Sequence, residues 1–184
     1  MLFPLDVSKD QSRKDFIHSV SQKYTSIDIF INNAGIRSGG AKDSYTLGEM
    51  HFEDIEQVFR VNSIAPVLLI ELFLNLIVKG KNPRIINITS GLASLSRKTF
   101  VFRYSYCASK TALNMFSKLM ALELKEKNII VIPLHPGHVR TELGGFSAPL
   151  SPQESIQGMI KVIDSLTMDD TGRFLDWQRN ELLW

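Results

Sequence analysis

Tyr106 and Lys110, which lie four residues apart, form the pair with the clearest catalytic chemistry in the sequence. Residues at this spacing share one face of a helix, so the phenol and the ammonium can converge on one site. A phenol with an unperturbed pKa of about 10 exchanges protons poorly near neutral pH. A cation beside it favours the phenolate and lowers that pKa. The spacing alone is also typical of a tyrosine at the core boundary followed by an exposed lysine.

Four further polar motifs accompany this pair, and each one follows an apolar strand or interrupts an apolar helix. They are Asn32–Gly35, Asn62, Thr89-Ser90 and Pro136–Thr141. Each motif has a structural alternative, since Asn-Gly sequences make turns, Asn62 could bond a helix carbonyl, and Pro-Gly ends strands. Ligands of open parallel sheets bind beyond the carboxyl ends of the strands. The motifs that follow strands are therefore predicted to gather at one edge of a sheet.

Strands and helices alternate along the chain. The predicted strands are Ile27–Ile31, Arg84–Ile88, Ile129–Leu134 and Gly172–Leu175, after a short apolar run at Leu2–Val7. The predicted helices run from Ser8 to about Tyr24, from Phe52 to Val78 with a kink or early turn at Pro66, from Tyr106 to about Lys127, and from Ser151 or Ser155 to about Leu166. A polar loop is predicted from Gly39 to Gly48, and one apolar face of the third helix is predicted to comprise Leu113, Phe116, Leu119, Met120 and Leu124. The alternation predicts an α/β fold, a doubly wound parallel sheet, in one domain that spans residues 1–184.

The composition argues against several kinds of partner and of site in this chain. The chain has 184 residues, of which 44% are apolar and 22% charged, as is typical of a soluble globular protein. A net charge of +2 with scattered basic residues gives no reason to expect a nucleic-acid partner. The single cysteine, Cys107, excludes an internal disulfide and is expected to be a packing residue, and no metal site is expected. The most apolar stretch, Ala65–Val78, is shorter than the roughly 20 residues of a membrane span, so we expect a cytoplasmic protein without membrane contact.

Together the motifs resemble the short-chain dehydrogenase/reductase family, in the branch of C-factor-like carbonyl reductases. The resemblance extends over essentially the whole chain and implies a Rossmann-type domain with four catalytic residues. Those residues are Asn62, Ser90, Tyr106 and Lys110. The resemblance implies that Tyr106 protonates the carbonyl oxygen, while Lys110 lowers the pKa of Tyr106 and holds the nicotinamide ribose. Ser90 then orients the substrate oxygen, and Asn62 positions a water that links Lys110 to solvent.

The resemblance also implies a binding site for NADP or NAD, with NADP slightly favoured. Asp6 and Val7 resemble the pair at the adenine ring, and Asn32, Ala34 and Gly35 resemble the residues on the ribose side. The residues that resemble those at the nicotinamide end of the family's cofactor site are Tyr106, Lys110, Pro136, Gly137, Val139 and Thr141. The implied substrate is a small carbonyl compound or alcohol. A homodimer through the long helices that start near Phe52 and Tyr106 is also expected.

The start of the chain departs from the family pattern. The family opens with a strand and a Gly-rich turn that place the pyrophosphate at a helix N-terminus. This chain opens at Leu5-Asp6-Val7, which resembles the third strand, so the expected domain lacks the first two strands and the Gly-rich turn and has unpaired strand edges. Two hypotheses stay open. One is an NAD(P)-dependent reductase of a carbonyl compound, and the other is a catalytically silent, truncated family member that acts as a binding or regulatory protein.

Overall fold

A parallel β-sheet with helices packed on both faces forms the centre of the protein. The computed structural model describes residues 1–38 and 46–184, so residues 39–45 of the predicted loop Gly39–Gly48 lie outside the described residues. The strands of this part of the chain are β1 (Ile29–Asn32), β2 (Arg84–Ile88), β3 (Ile130–His135) and β4 (Leu175–Asp176). They lie in the order β1-β2-β3-β4, and each neighbouring pair is parallel. The Rossmann-type α/β architecture predicted from the sequence is confirmed.

The helices fill the connections between these strands. They are α1 (Asp10–Ser21), α2 (Phe52–Phe59), α3 (Ala65–Ile77), α4 (Tyr104–Leu124) and α5 (Pro152–Ser165). A π-helical segment, Arg60–Ile64, joins α2 to α3, and the Ala65 N–H bonds to the carbonyl of Arg60, five residues back. Pro66, which has no N–H, stands at the start of α3. The kink predicted at Pro66 is therefore a widened turn that ends just before it.

The two central strands contribute to both cores, because successive side chains of a strand point to opposite faces of the sheet. Ile85 and Val131 belong to the apolar cluster that includes residues of α1, α3 and α4. Ile86 and Ile132 belong to the cluster that includes residues of α5. All four side chains are fully buried. Burial on both faces explains why β2 and β3 are continuous apolar runs rather than alternating sequences.

The apolar run Leu2–Val7, expected to correspond to a strand, forms none. A strand requires a neighbour for its backbone, and in the part of the chain that the structure describes β1 pairs only with β2. Phe3, Leu5 and Val7 instead pack, half-buried, against the cluster of α1 and α3. The first segment is held by side-chain packing and not by a β-ladder.

The buried face of α4 differs from the predicted one. Leu113, Met120 and Leu124 are buried as expected, but Phe116 and Leu119 are 36% and 53% exposed. The helix is apolar on two sides, and the sheet covers only one of them.

Of the two residues predicted as the start of α5, Ser151 is the one that caps the helix. It forms a reciprocal capping box with Glu154.

One helical stretch among the described residues, Phe52–Ile77, is long and apolar enough to cross a membrane. Half of its most apolar window, 50%, is buried inside the protein. Within residues 1–38 and 46–184, no group of three or more His, Cys, Asp or Glu side chains is placed to hold a metal ion.

Candidate active site

Helix α4 carries Tyr106 and Lys110 on its first two turns and points both side chains inward. Tyr106 is 7% exposed and Lys110 is 4% exposed. The Lys110 Nζ donates a hydrogen bond of 2.8 Å to the carbonyl oxygen of Ile88, the last residue of β2. This bond fixes the ammonium at the carboxyl end of the sheet, where the sequence predicted the site. Arg103, the residue before α4, has a φ of 29°, so the chain enters the helix through a conformation that favours glycine.

Ser90 lies two residues beyond the end of β2 and faces Tyr106. Its Oγ accepts the N–H of Leu92 at 3.1 Å and so caps the short 3₁₀ turn Gly91–Ala93. The same side chain acts to lower the pKa of the Tyr106 phenol. The structure therefore brings Ser90, Tyr106 and Lys110 together, from two elements that are adjacent in space and separated in sequence.

Burial dominates the electrostatics of the pair on α4. It raises the pKa of Tyr106 above its ordinary value of 10.0, and the Ser90 side chain only partly opposes this. It lowers the pKa of Lys110 from 10.5 to about 8. The expected lowering of the Tyr106 pKa by Lys110 is thus not what the structure shows. Desolvation penalises the charged form of both groups, and the ammonium is engaged with Ile88.

Asn62 lies in the π-helical segment and clamps the backbone of Ile36. Its Oδ1 accepts the Ile36 N–H at 2.8 Å, and its Nδ2 donates to the Ile36 carbonyl at 2.8 Å. The Nδ2 also donates to the Oγ of Ser109, on α4, at 3.1 Å. Asn62 is fully buried, so these bonds offset the cost of placing an amide in an apolar helix. They also tie the Asn32–Gly35 motif to the helix that carries Tyr106.

Gly35 borders the two polar groups at the centre of the site. A Cβ on this residue would lie 3.4 Å from the Lys110 Nζ and 3.5 Å from the Asn62 Oδ1. Such distances are ordinary van der Waals contacts, so packing alone does not require glycine here. The absence of a side chain keeps the space beside the ammonium open, as a site that receives a ligand requires.

Asn32, one of the predicted cofactor residues, is placed by a buried amide network. The Asn32 Nδ2 donates to the Asn87 Oδ1 at 2.8 Å, and the Asn87 Nδ2 donates to the Ser117 Oγ at 2.9 Å. This chain of bonds connects β1, β2 and α4. The side chain of Asn32 is therefore committed to the interior, while the adjacent Ala34 is exposed.

Val7, Asn32 and Ala34 meet in one open groove beside β1. The groove has a volume of about 470 Å³, and its apolar walls come from α1, β1 and α3. Asp6 lies next to Val7, with its carboxylate accepting hydrogen bonds from the N–H and the hydroxyl of Ser8 at 3.0 and 2.6 Å. Three of the predicted adenine-side and ribose-side residues thus line a single groove, while Asp6 and Gly35 lie next to its lining residues Val7 and Ala34 in the chain.

The segment after β3 holds the remaining predicted residues in a closed loop. The Pro136 carbonyl accepts the Ser155 hydroxyl at 2.6 Å, and Val139 pairs with Leu150. Gly137 has a φ of +87°, and a Cβ there would lie 2.6 Å from Leu150, so this glycine is required by the fold itself. The Oγ1 of Thr141 accepts the N–H of Gly144 at 3.0 Å.

Several polar residues of the site were not identified from the sequence. Asn87 was noted only as part of a strand, although an asparagine between isoleucines in a buried strand was a signal for a network of this kind. Cys107 was assigned to packing without a nearby cation other than Lys110. In the structure, the Lys98 Nζ donates to the Cys107 Sγ at 3.2 Å. Burial also lowers the pKa of His135, at the end of β3, to about 4, and nothing in the sequence indicated this.

Comparison with known proteins gives concordant matches. The family model described as short chain dehydrogenase matches residues 1–149. C-signal of Myxococcus xanthus is 34% identical over 158 residues, which cover 86% of this chain and 93% of that protein. The NADPH-bound carbonyl reductase from chicken fatty liver superposes with a TM-score of 0.92 at 32% identity, over 100% of this chain and 77% of that one. The carbonyl reductase Sniffer of D. melanogaster gives a TM-score of 0.91 at 26% identity, over 99% of this chain and 77% of that one.

The matches agree with the order of motifs along the chain and with the parallel sheet. C-signal and the carbonyl reductases are also in line with the branch indicated by the sequence. The chain belongs to the short-chain dehydrogenase family of oxidoreductases.

Proposed function

We propose that the protein is an NAD(P)-dependent reductase of small carbonyl compounds, with Tyr106 as the proton donor. The observation that carries this proposal is the convergence of Ser90, Tyr106 and Lys110 at the carboxyl end of β2. The Ser90 hydroxyl acts on the Tyr106 phenol, so one substrate oxygen placed between them can receive hydrogen bonds from both. The buried Lys110 lies one helical turn further along α4.

The protonation states suit the reductive direction. Burial raises the pKa of Tyr106, so the phenol holds its proton at neutral pH and can donate it to a carbonyl oxygen. The pKa of Lys110, about 8, lets the amine exchange a proton near working pH. In this proposal, Asn62 positions a water that returns a proton to Tyr106 through Lys110. Support comes from the Asn62 Oδ1, which borders the same space beside Gly35 as the Lys110 Nζ.

The residues present suit the sugar end of a nicotinamide dinucleotide. Lys110 carries three donors, of which the Ile88 carbonyl engages one, and Gly35 leaves the approach to it free of a side chain. When bound, the nicotinamide supplies the hydride, and the protein supplies orientation and the proton. We favour NADP over NAD because the avian carbonyl reductase is bound to NADPH. The groove at Val7, Asn32 and Ala34 suits the adenosine end.

The test measures the reduction of a panel of small ketones and aldehydes, monitored through the loss of NADPH absorbance. Tyr106→Phe keeps the ring and removes the proton donor, so turnover should fall by about 10²–10⁴-fold. Tyr104→Phe is the matched control, because Tyr104 is a partly exposed tyrosine on the first turn of the same helix. Near-wild-type turnover in Tyr106→Phe would overturn the assignment.

A second function, binding without turnover, is favoured by one observation. The edge of β1 that pairs with no other described strand, together with the apolar groove that Val7, Asn32 and Ala34 line, forms an open surface. A silent family member would retain NADPH binding in a calorimetric titration while reducing no member of the panel. Binding and activity measured on the same preparation therefore separate the two functions.

We further propose that the protein is a cytoplasmic homodimer. Support for the dimer comes from Met115, Leu119 and Leu122, which are 60%, 53% and 63% exposed on α4. Their spacing of four and three residues places them on one face of the helix. A two-fold axis across this face would bring the same apolar side chains of two copies together.

A further inference from the structure

We propose that Trp184 is a positioning residue for the loop that leads from Ser90 to Tyr106. This connecting loop comprises residues Gly91–Arg103. The structural part of the proposal stands on its own, and only its kinetic consequence rests on the proposed function.

Trp184 holds the connecting loop through its main chain. The Ser96 N–H and the Ser96 hydroxyl both donate to the Trp184 carbonyl oxygen, at 2.9 and 2.6 Å. Ser96 lies six residues after Ser90, so the bonds act at the point where the loop has left the sheet. A backbone donor and a side-chain donor on one acceptor fix both the position and the direction of the chain there.

The indole ring anchors that carbonyl to the body of the protein. Its centroid lies 5.6 Å from the ring of Phe174, which is fully buried at the start of the last strand region. The Lys118 Nζ, on α4, lies 5.9 Å from the centre of the indole. Aromatic and cation–π contacts of this kind stabilise the ring in addition to the area that they bury. The ring thus ties the end of the chain both to Phe174 and to the catalytic helix.

The last residues reach this place by folding back along β4. The Leu182 N–H donates to the Phe174 carbonyl at 2.8 Å, and Leu175 pairs antiparallel with Glu181. Glu181 also forms an ion pair of 2.7 Å with Arg173. These contacts make residues 173–184 a hairpin-like strap that begins at the sheet and ends on the connecting loop.

The strap adds a main-chain contact at Ser96 to the contacts that α4 makes with the connecting loop, which include the bond from Lys98 to Cys107. From α4, the Thr111 hydroxyl donates to the Ala93 carbonyl at 2.9 Å, and the Cys107 thiol donates to the Phe102 carbonyl at 2.9 Å. These two bonds act near the ends of the connecting loop. The middle of the loop exposes Leu95, Phe100 and Val101 by 73%, 56% and 62%, so burial contributes little to its order. Trp184 fixes this middle section at Ser96.

Limited trypsin digestion tests the structural claim without any assay of turnover. The connecting loop offers Arg97, Lys98 and Arg103 as cleavage sites. Trp184→Ala should be cleaved in the loop about tenfold faster than the wild type, because loss of the ring frees residue 184 at the tip of the strap and with it the two bonds to Ser96. Trp184→Phe retains an aromatic ring and is the matched control, with cleavage close to the wild-type rate.

Two outcomes would overturn the proposal. One is equal cleavage of the loop in Trp184→Ala and in the wild type. The other is a parallel rise of cleavage at Lys125 and Lys127, far from the loop, since that would report general loosening. If Trp184→Ala does not fold, Ser96→Ala decides, because it removes the hydroxyl donor alone and should still accelerate cleavage within the loop. For an active enzyme, KM should rise in Trp184→Ala by a larger factor than kcat falls; if the panel shows no turnover, the digestion result still stands.

Discussion

The side-chain amide of Asn62 bonds both the N–H and the carbonyl of Ile36, at 2.8 Å each. Asn62 belongs to the π-helical segment, and Ile36 belongs to the loop after β1. One side chain therefore takes the place of a strand partner for a loop residue that has left the sheet. A third bond, to Ser109 at 3.1 Å, extends this link to α4.

Asn62→Leu should lower the free energy of unfolding by about 2–4 kcal/mol, because it leaves partly buried donors and acceptors of Ile36 without partners. Urea denaturation measures this loss. Asn75→Leu is the matched control: Asn75 is an exposed asparagine on α3, and its replacement should change stability by no more than about 0.5 kcal/mol. Equal stability of the two variants would show that the clamp is not stabilising.

Lys110 should give the protein a distinctive dependence of stability on pH. Its pKa is about 8 in the folded state and 10.5 when unperturbed, because burial disfavours the ammonium. Below about pH 8 both states hold the proton, and between pH 8 and 10.5 only the unfolded state does. The unfolded state then binds more protons, so this group makes stability rise with pH across that window, by up to about 1.4 kcal/mol per pH unit.

Lys110→Met removes this titration, so its stability relative to the wild type should fall as the pH rises from 8 to 10.5. Urea denaturation at several pH values measures the difference. Lys125→Met, at an exposed lysine just after the same helix, should run parallel to the wild type. Parallel curves for Lys110→Met as well would mean that the buried amine is not desolvated in the folded protein.

The edge of β1 should make the protein prone to association. Ile29 and Ile31 are 41% and 49% exposed on a strand whose second side has no partner among the described strands. Ile31→Lys should slow aggregation, measured by light scattering at equal concentration, because a charge on an edge strand opposes further pairing. Ile156→Lys, at a side chain of α5 that is 51% exposed, is the control and should leave aggregation unchanged. Equal rates for all three proteins would place the association elsewhere.

The exposed apolar face of α4 should carry the homodimer contact. Leu119→Glu places a charge among Met115 and Leu122 and should shift the protein to monomer in analytical ultracentrifugation. Ile160→Glu changes an apolar side chain of α5 that is 52% exposed and should leave the mass unchanged. A monomeric wild type would remove the dimer from the proposal, and a dimeric Leu119→Glu would move the contact to another face.

Local patterns in the sequence were sufficient for most of the fold. Arg84–Ile88 was predicted with the bounds that the structure shows, because Pro83 precedes the run and polar residues end it. The topology of parallel strands also predicted that Asn32–Gly35, Thr89-Ser90 and Pro136–Thr141 gather at one edge of the sheet, while Tyr106 and Lys110 were assigned to that site only by the family resemblance.

Other features depend on contacts that are distant in sequence. Leu2–Val7 has the composition of a strand, but pairing is decided by a neighbour and not by the segment itself. The covered face of α4 was misassigned because periodicity finds apolar stripes without showing which stripe meets the sheet. The π-helical segment was missed because the polar clamp that it presents, Asn62 on Ile36, joins residues 26 positions apart.

Two backbone hydrogen bonds close the base of the loop after β3. The Arg140 N–H donates to the Leu150 carbonyl at 2.8 Å, and the Leu150 N–H donates to the His138 carbonyl at 3.2 Å. Residues inserted between these points would extend the loop outward without moving its base. Each doubling of loop length costs only about 0.6 kcal/mol of closure entropy. The region is therefore an insertion point, where the loop next to Pro136–Thr141 can be lengthened or exchanged while α5 and the sheet keep their places.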